Sequence, residues 1–188
     1  MKHLKMLGLF AMAAAALMAF AGSASAQTLT APAGTEYTGA ISSSLEGTAL
    51  LKAGFAEVTC TAGTVAGSIT TNNNTEASGS ITAVSFSSCK EGQTVDTLSN
   101  NGTLTMLKST HAVSGTGTEV TTAVSGVSCV YGLGATSTSL GTASNTASGV
   151  TLAISAKLPK ISGGFLCASP ASWTANYIVT SPKSSVLD

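Results

Sequence analysis

The sequence predicts an all-β protein: antiparallel sheets packed face to face in a β-sandwich of Greek-key or immunoglobulin-like form, with a closed barrel as the second arrangement. Three observations predict this. Apolar and hydroxyl residues alternate with a period of two, and successive strand side chains point to opposite faces, so such segments bury one face and wet the other. Turn signals rich in Gly, Asn and Ser separate these segments at short intervals, with no helices between them. Beyond the first 26 residues, no stretch carries an apolar stripe at helical spacing.

Those first residues stand apart. "MKHLK" is a basic start, "MLGLFAMAAAALMAFAG" an apolar run, and Ala24-Ser25-Ala26 an A-x-A end. This order predicts a secretory signal over 1–26, cleaved before Gln27. A membrane span needs a longer run without a cleavage pattern. No apolar tail closes "TSPKSSVLD", so no membrane anchor is expected after processing. Residues 27–188 are expected to form one domain, since no linker-like stretch divides them.

Along that domain the alternation is explicit. In "FAEVTCTAG", Ala56, Val58 and Cys60 alternate with Glu57, Thr59 and Thr61. "TNNNTEASG" then breaks "GSIT" from "SITAVSF". "SNNGT" carries an Asn-Gly pair, a strong hairpin signal, and leads to "GTLTML", where Leu104 and Met106 share a face. "SGTGTE" is a further break, and "GLGATSTSLGTASNTASG" reads as another, a Gly-rich loop from Gly132 to Gly149. "VTLAISAKL" places Val150, Leu152, Ile154, Ala156 and Leu158 on one face. In "SWTANYIVTS", Trp173, Ala175, Tyr177 and Val179 fall on one parity. Large and small apolar residues on one strand face form a core stripe rather than a ligand-gripping one.

Composition excludes several classes of function. The 162 residues after the signal hold six Lys, no Arg and eight acids, a formal charge of −2. Nucleic acid and anionic membranes both need clustered cations, so neither is an expected partner. Cys60, Cys89, Cys129 and Cys167 are an even set in an exported chain, which predicts disulfides. Zinc is disfavoured because C-x-x-C is absent and His111 is the only His after the signal. Three connectivities are possible; Cys60–Cys89 with Cys129–Cys167 is favoured because each pair flanks one block of strands.

Catalytic chemistry has little to work with. A Ser or Cys nucleophile needs a base, and His111, expected to be exposed, is the sole histidine candidate. The G-x-S-x-G elbow, the phosphate loop and the calcium loop are missing. Glu36, Glu46, Glu57, Glu76, Glu91, Asp96 and Glu119 are dispersed as solvated acids are, not paired for carboxylate chemistry. The aromatics Tyr37, Phe55, Phe86, Tyr131 and Phe165 are scattered, most of them within apolar strand patterns. No catalytic residue, metal ligand or cofactor site is therefore expected. A fimbrial-type structural subunit or adhesin is the alternative, with "QTLTAPAGTEYTGAI" as a free N-terminal extension for strand donation.

The block "GFAEVTCTAGTVAGSITTNNNTEASGSITAVSFSSC" has the order apolar strand, Cys, Asn/Ser-rich turn, I-T-x-x-x-F, Cys. It resembles secreted bacterial proteins of the alkane-oxidation activator type. "GVSCVYGLG" through "FLCASPASWTANYIVTSP" is similar to uncharacterised secreted proteins of high-GC Gram-positive bacteria. The resemblance implies an extracellular accessory protein that helps cells grow on hydrocarbon or build matrix, carries over no catalytic residue, and gives Cys60, Phe86 and Cys89 structural roles. The reading as a whole is a secreted, non-catalytic β-protein at the cell surface or in the matrix. It would touch matrix polymers or other copies of itself through neutral hydroxyl-rich faces and Gly-rich loops.

Overall fold

A computed structural model describes residues 29–32, 34–97 and 102–188. The signal expected over 1–26 lies outside the described residues, as does Asn101 of the Asn-Gly pair. The described residues form only strands and connections: β1 (Leu29–Thr30), β2 (Gly39–Ala53), β3 (Ala56–Asn72), β4 (Glu76–Cys89), β5 (Gln93–Thr97), β6 (Thr103–Leu107) and β7 (Ala112–Thr116). They continue with β8 (Glu119–Val124), β9 (Val127–Gly132), β10 (Thr138–Thr146), β11 (Gly149–Leu158), β12 (Lys160–Gly163), β13 (Ala171–Ser181) and β14 (Val186–Leu187). Every ladder between these strands is antiparallel.

The all-β antiparallel class is as the sequence predicts, and the larger sheet takes the closed form. Eight strands close in the order β10-β11-β13-β2-β3-β4-β6-β7. Followed around the wall, this order is the chain order, so the connectivity is up-and-down and not Greek-key. Excursions interrupt the meander: β5 between β4 and β6, β8–β9 between β7 and β10, and β12 between β11 and β13. They assemble into a second sheet, β12-β9-β8-β5. Val120, Val124, Tyr131 and Cys129 of that sheet pack into the same core as the wall residues Leu51, Val58 and Ile154. The second sheet, built from the barrel's connections, thus shares the barrel's core. A ribbon of β1 and β14 packs Leu29 and Leu187 against a second cluster with Val113, Ala143 and Val150.

Alternation explains the wall. On β11, Val150, Ile154, Ala156 and Leu158 are buried while Ala153, Ser155 and Lys157 are exposed. Burying a Leu or Ile side chain is worth about 1.5–3 kcal/mol, so a one-residue slip would expose the whole inner set.

One expectation fails. The stretch from Gly132 to Gly149 is not a loop, because β10 occupies its middle, with Leu140 and Ala143 buried. A bulge between Ser139 and Gly141 shifts the register, so the two inward residues stand three apart instead of two. Gly141 has φ +153° and passes so close to the carbonyl oxygen of Ala153 that a Cβ would collide with it. Glycine here serves close strand approach, not loop freedom.

The cysteines pair as Cys60–Cys89 and Cys129–Cys167. The first joins directly opposed residues of β3 and β4. The second fastens β9 to the turn that leads from β12 to β13.

Candidate functional site

The outer wall of the barrel is the first candidate surface. Register sets Thr71 opposite Ser78, Ser78 opposite Thr105, Thr105 opposite Ser114, and Ser114 opposite Ser139. These residues therefore form one continuous row across β3, β4, β6, β7 and β10. Strand spacing of about 4.8 Å makes the row about 19 Å long. A parallel row runs Ser68, Ser80, Thr103 and Thr116, with the Thr103 and Thr116 hydroxyls 2.8 Å apart. Thr64 and Ser85 make a similar pair at 2.7 Å. Such pairs hold part of the hydroxyl set in fixed geometry and leave their second lone pairs free to accept.

Charge is distributed unevenly around this wall. Within β4, β6, β7 and β10 the only ionisable side chain is Glu76. The remaining barrel strands, β2, β3, β11 and β13, carry Glu46, Lys52, Glu57 and Lys157, with Lys52 and Lys90 near Glu57 at 4.0 and 3.9 Å. Those exposed ion pairs add little stability. One side of the barrel is thus nearly neutral and hydroxyl-lined.

Inside the barrel lie two apolar cavities, one of about 70 Å³ beside the second sheet and one of about 150 Å³ beneath the β1–β14 ribbon. Val65, Ile81, Leu104 and Leu152 line both, so the cavities adjoin around these four side chains. The aromatic stripe of β13 belongs to this interior. Tyr177 is buried, and Trp173 packs half-buried against the same core in an edge-on contact with ring centroids 6.5 Å apart. Burial pushes the Tyr177 hydroxyl well above the usual phenol range, and burial likewise raises Tyr131.

Tyr131 donates to the carbonyl of Ala168 at 3.0 Å, and Thr122 donates to the carbonyl of Cys129 at 3.3 Å. The Tyr177 hydroxyl is buried and meets no hydrogen-bonding group among the described residues.

The remaining sequence candidates separate in space. His111 sits in the β6–β7 turn at φ 54° and is half-buried, not exposed, with a buried Nε2 that meets no hydrogen-bonding group among the described residues. Glu36 is not merely solvated: its carboxylate lies 3.7 Å from Lys108, a fully buried lysine that sequence reasoning missed. No alternation signal marks Lys108, because it follows the last residue of β6. Phe86 and Tyr131 pack in the core as expected, but Phe55 and Phe165 are 72% and 94% exposed. They occupy the turns after β2 and β12, and a Cβ placed on Gly54 would stand 3.0 Å from that of Ala168. Leu29 and Thr30 pair with Leu187 and Val186 of the same chain, so this part of the N-terminal segment is already used as a strand.

Among the described residues, no group of three or more His, Cys, Asp or Glu converges to hold a metal ion, and no helix is long and apolar enough to cross a membrane. No family model, curated protein or solved structure matches the chain.

Proposed function

We propose that this is an exported, non-catalytic barrel that acts at the cell surface or in the extracellular matrix by contact between its hydroxyl-lined wall and a neutral polar polymer. The observation that carries the reading is the row from Thr71 to Ser139, set by register on the one nearly uncharged side of the barrel. Hydroxyls repeated at strand spacing offer donors and acceptors at fixed intervals to a chain that repeats its own polar groups. A neutral wall does this without the desolvation cost of charged groups. Two disulfides agree with an oxidising compartment. The likeness of the Phe55–Cys89 block to extracellular accessory proteins points the same way.

Co-sedimentation tests the reading. The disulfide-bonded chain from residue 27 onward is mixed with insoluble cellulose and with chitin at low and high salt. Retention on at least one polymer, little changed by salt, is expected, since the contact involves no counterion release. Retention on neither, or retention that salt abolishes, contradicts it.

A further inference from the structure

We propose that the barrel interior is a binding site for a neutral, mainly aliphatic molecule with a single oxygen acceptor. Its oxygen would meet the hydroxyl of Tyr177 in the smaller cavity, and its aliphatic part would pass between the side chains common to both cavities, Val65, Ile81, Leu104 and Leu152, into the larger one. This site is separate from the outer wall and does not rest on the surface reading.

The first argument is size. An eight-strand barrel is near the width at which the interior either fills with side chains or holds one small ligand. This one leaves about 150 Å³ under the ribbon, adjoining the Tyr177 cavity of about 70 Å³. An apolar hole of about 150 Å³ is large enough to take a benzene-sized guest.

The second argument is chemistry. Leu29, Ile41, Ile69, Val113, Val150 and Leu187 surround the larger cavity. No Asp, Glu, Lys or His lines either cavity among the described residues. A charged guest would lose its hydration without compensation, so a carboxylate or an amine is excluded.

The third argument is the hydroxyl. Tyr177 is 1% exposed, lines the smaller cavity and has no hydrogen-bonding partner among the described residues. Native interiors pair such groups, so each exception calls for an explanation. Burial keeps this phenol protonated, hence a donor in search of an acceptor. Water is a poor answer, because a buried water needs two to four polar partners. Two other hydroxyls of the lining, Tyr131 and Thr122, already donate to main-chain carbonyls.

The chain has a single tryptophan, Trp173, and it lines the Tyr177 cavity. Its fluorescence therefore reads occupancy directly. Titration with n-octanol should change Trp173 emission saturably, whereas octanoate at neutral pH should not. Tyr177→Phe removes only the oxygen; it should weaken octanol by about tenfold, the worth of one buried hydrogen bond, and leave n-octane unchanged. Ala143→Leu, which fills the larger cavity, should abolish the response to both, with a thermal melt confirming the fold. If that variant does not fold, the Tyr177→Phe comparison decides. The proposal is overturned if octanol gives no saturable response up to its solubility, if octanoate binds as well as octanol, or if Tyr177→Phe binds octanol as wild type does.

Discussion

Removing the Cys129–Cys167 bond as a double alanine variant should cost about 5 kcal/mol. The bond closes a loop with a sequence separation of 38, and in the chain-entropy account the cross-link takes about 13 cal/mol/K from the unfolded ensemble, or about 4 kcal/mol near room temperature. Both residues are nearly fully buried, so losing the two sulfurs leaves a small void worth about 1 kcal/mol more. For a domain of this size, that sum lowers Tm by about 10–20 °C. Urea denaturation reads it twice, because the midpoint should fall while the slope m rises as the released chain exposes more surface when unfolded. Hydrogen exchange should locate the loss, with amides of β8, β9 and β12 accelerating ahead of those in β2 and β3. A double variant within about 1 kcal/mol of wild type, with unchanged m, would refute the reasoning.

Other perturbations test other parts of the structure. Gly141→Val forces a side chain into the carbonyl of Ala153 at φ +153° and should cost about 2–4 kcal/mol by chemical denaturation; a neutral effect would mean that β10 does not approach β11 so closely. Asn145→Ala deletes the bonds to the main chain of Leu187 at 2.7 and 2.9 Å. It should cost about 2 kcal/mol and release the Leu187 amide to exchange, whereas continued protection there would place the ribbon's anchor elsewhere. Tyr177 and Tyr131 titrate higher folded than unfolded, so the unfolded chain loses its protons first and stability falls as pH rises. From the ordinary phenol value of 10.0 upward, Tyr177 should remove about 1.4 kcal/mol per pH unit until its folded pKa is reached, with Tyr131 adding in the same direction. Tyr177→Phe should flatten that alkaline slope, and an unchanged slope would show that Tyr177 is not the group responsible.

Much of the wall was legible in the sequence because the signal is local. Val150, Leu152, Ile154, Ala156 and Leu158 need only a period of two to declare an inner face, and Trp173 and Tyr177 need only the same parity. Closure was less legible. A sandwich and a barrel present the same alternation along each strand and differ in which strands pair last, here β10 with β7, a contact that no local pattern encodes. β10 itself was hidden because its bulge breaks the period and its Gly, Ser and Thr residues read as turn formers. The hydroxyl row follows the same logic. Thr103 and Thr105, or Ser78 and Ser80, are visible as outward positions, but their alignment across five strands depends on register. Phe55 and Phe165 were misplaced because aromatic residues favour strands, and only the adjoining Gly54 and Gly164 hint at the turn.

The most direct measurement compares two charged pairs on opposite walls, scored for retention on the polymer that wild type binds. Thr105→Glu with Ser114→Glu interrupts the long row, while Ser155→Glu with Thr174→Glu places the same charge at opposed positions of β11 and β13. The account predicts that the first pair loses retention by about tenfold or more, as expected when charges must be desolvated against a neutral surface, and that the second pair retains it. Equal retention of the two would contradict the assignment of the contact to this wall.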